Sequence, residues 1–439
     1  MGPVSSRVRI VESCSGSSGA RENRWLLTRE AKVDPRYEKL AELLVGYSTK
    51  ITRGDIVRVE ATSCVPREML LTLIRAARGA GGELLNPRIN DPRIVTAGRR
   101  ASSDRSLRIE AASLFTEYLG ADVNVVLRGY ENPFEGKAVP ADRAQAVDRI
   151  INGLTMSERI DRSRWVLTIW PTPGFAQLLG VSTPEAEGFF FDAVLADYPT
   201  MAKAMQPLTE LMLRTDRVHI KGPGTDLTFS IKGINVVPCV GERNIPDGED
   251  YTAPVADSVN GTIQYNTLTI PKSGDRFTNV WFRVKDGVIV DERCDTGDLE
   301  RMRKILNTDP GARRFGEFAI GVNCKIPRVI GDTLFDEKVG GTFHLTPGNA
   351  YEEAQNGNVS TVHWDIVNDQ REAAGGGEIW FDGKLVRKNG IFTLPELAGL
   401  NPPGAVVEAP IVASSLSAAT RRRLRRAVPQ SLTAEEASS

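Results

Sequence analysis

The sequence predicts an α/β N-terminal domain with a mostly parallel sheet, followed by a β-rich α+β domain that binds metal. Three observations carry this expectation. Residues 55–128 alternate strand and helix signatures, the rhythm of a parallel sheet with crossover helices. From about residue 215 the pattern turns to short strands and tight turns. Two of the chain's three histidines, His344 and His363, then fall within one stretch of that second half.

Taken in order, residues 1–33 surround a Ser/Gly-rich S-C-S-G-S-S-G segment, too polar to offset its ordering entropy, and read as a loosely ordered extension. The first domain, residues 34–214, opens at Asp34-Pro35, where Leu40, Leu43, Leu44 and Tyr47 recur at helical spacing. Residues 55–61 form a β-branched strand, and residues 66–78 form a helix begun by proline and closed by Gly79, Gly81 and Gly82. Leu84 and Leu85 open another strand. A helix over 106–119 and strands over 122–128 and 165–170 follow. Residues 184–214 are helix-rich, and their Phe189, Phe190, Phe191, Met201 and Met205 stripe reads as core packing rather than a ligand box.

The second domain, residues 215–394, starts with strands over 217–220 and 227–231. Strands over 280–284 and 287–290 are joined by a Lys285-Asp286-Gly287 hairpin turn. A helix over 299–306 takes Asp298 as N-cap. Residues 395–439 thin into a low-order tail in which Arg421 to Arg426 make a basic cluster, read as solvated.

Composition narrows the function. A net charge of -1 gives no bulk attraction to nucleic acid, and the absence of an 18-residue apolar window argues against a membrane span. Five scattered cysteines without a C-x-x-C fit reduced thiols, and with no secretory pattern the expected location is cytoplasmic. Neither G-x-G-x-x-G nor a P-loop occurs at a strand-to-helix junction. The G-P-G at 222–224 precedes a strand and reads as a tight turn, so nucleotide binding is not expected.

The donors point instead to a metal. If residues 362–367 form a strand, His363 and Asp365 stand at i and i+2 and project from one face. His344 and Tyr351 lie nearby, giving nitrogen and oxygen donors suited to zinc, cobalt, manganese or iron(II). Glu249 follows a P-D-G turn, and Glu317 enters an apolar run where an unpaired carboxylate is costly to bury. Together they form a hard-donor set suited to two divalent ions sharing a carboxylate, which can acidify a bridging water, polarise a scissile carbonyl and anchor a free amine. His219, flanked by apolar residues with no carboxylate at i±2, reads as structural. Two histidines and one carboxylate also make the facial triad of mononuclear iron(II) oxygenases.

Four ordered motifs carry a resemblance: N-I-P-D-G-E-D-Y-T-A-P-V-x-D-S-V-N-G-T-I (244–263), G-A-R-R-F-G-E-F-A-I-G (311–321), L-F-D-E-K-V-G-G-T-F-H-L (334–345) and H-W-D-I-V (363–367). With D-R-V-H-I-K-G-P-G-T-D-L-T-F-S-I-K-G and P-T-P-G-F-A, the chain over roughly 34–392 resembles the aminopeptidase T and aminopeptidase S family of metallo-aminopeptidases. The resemblance implies a cytoplasmic, homodimeric exopeptidase acting on short peptides with two divalent metal ions, zinc, cobalt or manganese. It implies Glu249, Glu317, His344, His363 and Asp365 as metal ligands, Glu317 bridging, and Tyr351 as a ligand or a stabiliser of the tetrahedral intermediate. The alternatives are a mononuclear iron(II) ring-cleaving dioxygenase, since dihydroxypyridine dioxygenases look like distant relatives, and a peptide-binding relative without turnover.

Overall fold

The computed structural model describes residues 34–271 and 274–405. The N-terminal extension and the arginine cluster lie outside the described residues.

The first half alternates helix and strand. In chain order it contains α1 (Pro35–Glu42), β1 (Ile56–Thr62), α2 (Arg67–Gly79), β2 (Glu83–Leu84), β3 (Arg88–Asn90), α3 (Pro92–Arg100), α4 (Asp104–Leu119) and β4 (Val123–Arg128). It continues with α5 (Ala141–Val147), α6 (Gly153–Ile160), β5 (Arg164–Ile169), α7 (Pro173–Leu179), α8 (Thr183–Val194) and α9 (Tyr198–Arg214). Caps explain several boundaries: Asp34 accepts from the Arg36 amide before Pro35 opens α1, and Ser103 and Ser106 form a reciprocal capping box for α4. The predicted helix from Asp34 is present, and it runs on past α1 into a π-helical turn over Leu43–Ser48.

The second half contains β6 (Arg217–Gly222), β7 (Thr225–Ser230), β8 (Val237–Cys239), β9 (Asn244–Ile245), β10 (Glu249–Thr252), β11 (Asn260–Gln264), β12 (Leu268–Thr269) and β13 (Phe277–Thr278). There follow β14 (Trp281–Lys285), β15 (Val288–Arg293), α10 (Leu299–Leu306), β16 (Phe315–Gly321), α11 (Thr333–Asp336), β17 (Thr342–Pro347) and β18 (Val367–Asp369). Strands β19 (Glu378–Phe381), β20 (Lys384–Lys388) and β21 (Ile391–Phe392) close the list. Asp298 caps α10 as expected, accepting from the Glu300 and Arg301 amides. The Asp286-Gly287 turn has positive φ at both residues, which a two-residue hairpin of matching twist requires.

The main N-terminal sheet is parallel along β2-β1-β4-β5-β9, with β3 beside β1. Val57, Val59, Val123, Val125 and Leu127 alternate on its core face, where Phe190 and Phe191 of α8 pack, so the aromatic stripe is core. An eight-stranded antiparallel sheet (β15-β14-β11-β7-β6-β19-β20-β21) and a five-stranded one (β18-β17-β16-β10-β8) share a second core. Phe229 of the first meets Phe318 of the second edge-on at 5.0 Å between centroids. Burying such side chains stabilises by roughly 1.5–3 kcal/mol each. That core fixes one face of the five-stranded sheet and leaves the other for function.

Candidate metal centre

Strand alternation builds the site. On β16, Phe318 and Ile320 enter the shared core, so Glu317 and Ala319 point the other way. On β17, Phe343 and Leu345 enter the core and His344 lies opposite Ala319 across the antiparallel pair. Glu249 starts β10 opposite Gly321. Three potential ligands thus rise from adjacent central strands on one face.

His363 and Asp365 arrive differently from the expectation. Residues 362–366 are not a continuous strand: His363 makes an isolated bridge to Gly348, and β18 begins only at Val367. Trp364, between His363 and Asp365, is buried in the shared core and donates its Nε1 to Thr269 Oγ1 at 2.9 Å, so the inward–outward alternation holds without a regular strand. The two flanking side chains still converge, with His363 Nε2 at 3.2 Å from Asp365 Oδ1. Gly348 makes the approach possible: at φ +112°, a Cβ there would meet the Val362 carbonyl oxygen at 2.0 Å.

Glu317 stands at the centre. Its Oε1 lies 3.2 Å from His344 Nε2, and its Oε2 lies 3.2 Å from His363 Nε2. Glu249 Oε2 is 3.8 Å from His344 Nδ1. Donor atoms of Glu249, Glu317 and His344 fall within one ion-sized group, and those of Glu317, His363 and Asp365 within another; Glu337, His344 and Asp365 make a third. His363 Nδ1 faces the Asn349 carbonyl at 2.9 Å, which assigns its proton there and turns Nε2 inward. Thr346 Oγ1 donates to Asp365 Oδ1 at 2.6 Å and orients that carboxylate. Tyr351 packs its ring 4.5 Å from the His363 ring, while 43% of its surface stays accessible.

The site also contains residues that sequence reasoning missed. Lys338, 1% exposed, pairs with Glu249, with Glu337 at 2.9 Å and with Asp247 at 3.5 Å. Glu337 and Lys338 follow α11, whose Asp336 ties the preceding loop by accepting from the Ile330 and Gly331 amides. An adjacent Glu-Lys pair normally signals solvated surface. The signal available was its position inside the motif over 334–345. His219, read as structural rather than as a ligand, lies apart from these groups in the β6–β7 hairpin, with Nε2 at 2.6 Å from Asp226.

The electrostatics are those of crowded, buried charge. Burial pushes the Glu249 carboxyl up to about 8 against the pull of Lys338. Burial alone would neutralise His344, yet Glu249 and Glu317 outweigh it and lift the imidazole to about 9. Asp365, also buried, is held well below the usual carboxylate range by His363 and His344. Buried atoms Glu249 Oε2, His344 Nδ1 and His363 Nε2 have no hydrogen-bond partner. Such orphans are costly. Hard nitrogen and oxygen donors that converge with unmet bonding capacity fit divalent cations.

A β-rich scaffold presenting buried carboxylates and imidazoles to a common space defines a metalloenzyme. The chain belongs to the thermophilic metalloprotease (M29) family, whose model matches residues 33–392. It is 28% identical to aminopeptidase T of Thermus aquaticus over 255 residues, which is 48% of this chain and 62% of that relative; the match thus spans less than two thirds of the relative's length. It is 38% identical to aminopeptidase 2 of Geobacillus stearothermophilus over 113 residues, 25% of this chain and 26% of the other. Among solved structures, wild-type AmpT from Thermus thermophilus superposes with TM-score 0.71 at 22% identity, covering 82% of this chain and 99% of that one, which shows the α/β plus β-rich fold. A 2,5-dihydroxypyridine dioxygenase from Pseudomonas putida superposes with TM-score 0.52 at 15% identity, covering 83% and 97%.

No described helix is long and apolar enough to cross a membrane. Cys64, Cys239, Cys294 and Cys324 are free thiols, and Cys14 lies outside the described residues.

Proposed function

We propose that this protein is a metal-dependent aminopeptidase that removes N-terminal residues from short peptides with a water activated by two divalent ions, zinc, cobalt or manganese. The observation that carries the reading is Glu317, which offers one carboxylate oxygen to each of two histidine-containing donor groups. Glu249 and His344 complete one group, His363 and Asp365 the other. Bound there, the ions would acidify a shared water and polarise the scissile carbonyl. The protein's own contribution is positional. Asn349 and Thr346 orient His363 and Asp365, and Lys338 balances the carboxylates on the Glu249 side. Tyr351, partly exposed as a residue, has its hydroxyl in the charged surroundings of Glu317 and Asp365, where it can donate to a developing oxyanion.

The dioxygenase fold match leaves a mononuclear iron reading in view, but such a site has no need of Glu249 and Glu317, both buried here. A relative without turnover would likewise have no need of the full donor set. A homodimer in the cytoplasm belongs to the same proposal, with sedimentation of the purified chain as its check. Activity is tested by chelating the protein, re-adding single metals and following hydrolysis of aminoacyl chromogenic amides. Loss and recovery of hydrolysis supports the reading; full activity after exhaustive chelation overturns it.

A further inference from the structure

The sheet face turned away from the main N-terminal core is polar. Arg58, Glu60, Asn124 and Arg128 share it because they alternate with the core-facing Val57, Val59, Val123, Val125 and Leu127 on β1 and β4. Most of this charge is matched: Arg58 lies 2.8 Å from Glu60 and 3.0 Å from Glu117. Arg128, the last residue of β4, is different. Among the described residues its guanidinium has no hydrogen-bond or ion-pair partner.

Its neighbours sharpen the imbalance. The Arg128 side chain is exposed at the end of β4, and the positive charges of Arg159 on α6 and Arg99 on α3 add to its own. Arg99 and Arg159 each have a buried Nε without a partner. Glu60, the carboxylate that faces Arg128, is already engaged by Arg58 and by Asn90 Nδ2 at 3.2 Å. Like charges gathered without a counter-charge are costly, and an oxyanion relieves them with charge-assisted hydrogen bonds.

There is room for one. Arg128 lines a cavity of about 420 Å³ with Tyr130, Phe134, Ile169, Leu178 and Leu334, and Lys137 adds a further cation. The cavity lies at the carboxyl ends of β4 and β5, the end of an open parallel sheet at which ligands usually bind. Asp332 on its wall is occupied by the Tyr130 hydroxyl at 3.1 Å and the Leu334 amide at 3.1 Å. We propose that this cavity is a second ligand site, separate from the metal centre, for a small organic anion with a carboxylate or phosphate head at Arg128 and an apolar body against Ile169, Leu178 and Leu334.

Calorimetric titration of the purified full chain with phenyl phosphate, benzoate and inorganic phosphate tests the site. Saturable binding of phenyl phosphate or benzoate is expected, with inorganic phosphate weaker for want of an apolar body. Arg128→Gln should weaken the binding roughly tenfold or more while leaving peptide hydrolysis unchanged. His363→Ala, which disables the metal centre, should leave it intact. Should Arg128→Gln fail to fold, Lys137→Gln, at the second cation lining the cavity, is expected to weaken binding in the same direction. No saturable binding of either organic anion overturns the proposal, as does binding that survives Arg128→Gln undiminished; loss in His363→Ala would put the anion on the metal centre instead.

Discussion

Glu317 lies between the two site histidines, with Oε1 3.2 Å from His344 Nε2 and Oε2 3.2 Å from His363 Nε2. A carboxylate so placed links two donor groups that would otherwise be separate. Glu317→Gln keeps the shape but removes the charge and one acceptor, so hydrolysis should fall by roughly 10²–10³-fold or more. Metal content of the variant should fall with it. Wild-type turnover in purified Glu317→Gln would contradict the assigned role.

Gly348 sets the approach of the His363 segment. Gly348→Ala would place a Cβ 2.0 Å from the Val362 carbonyl oxygen at a φ of +112°. The segment must move, and His363 moves with it. The expected outcome is a lowered melting temperature together with weaker metal binding, read by thermal denaturation and metal titration.

Lys338 is a buried cation among Glu249, Glu337 and Asp247. Lys338→Met leaves those carboxylates uncompensated, and the metal-free protein should lose about 3–5 kcal/mol of stability. Added divalent metal should restore part of the loss. Calorimetric melting with and without metal measures both, and an unchanged metal-free transition would count against this charge balance.

Away from the site, Glu292 bridges Arg303 at 2.9 Å and Arg313 at 2.9 Å. Burial alone would raise its pKa, but Arg313 and Arg303 outweigh it and hold it below 4.5. A depressed carboxylate contributes stability above its unfolded pKa and loses it as pH falls through the folded value. Glu292→Gln should therefore cost roughly 1–2 kcal/mol near pH 7. The gap to wild type should close as both are titrated below about pH 4.5.

Much of the fold was legible because periodicity and punctuation agreed. The β1 and α2 segments combined an alternating apolar run with a proline start and glycine stop, and both formed within a residue or two of the expected bounds. The α5–α6 region was silent in the sequence. Its buried apolar residues are few, with Ala146, Val147 and Ile151 sharing a small cluster with Leu107 and Ala111 of α4. At the site, rarity exposed His344 and His363, and apolar context exposed Glu317. Lys338 stayed hidden because nothing local distinguishes a buried lysine from a solvated one; only three carboxylates brought together from β9–β10 and α11 give it a partner set. The strand expected over 362–367 starts only at Val367, with His363 held by an isolated bridge to Gly348, yet the alternation it predicted survives, Trp364 inward and His363 and Asp365 together.

The most direct test of the central claim is the metal stoichiometry of the purified chain by elemental analysis, alongside Glu317→Gln and with hydrolysis of an aminoacyl amide followed in parallel. The account predicts two divalent ions per wild-type chain, fewer in Glu317→Gln, and activity that tracks occupancy. A single iron per chain, or two ions retained without any peptide hydrolysis, would contradict it.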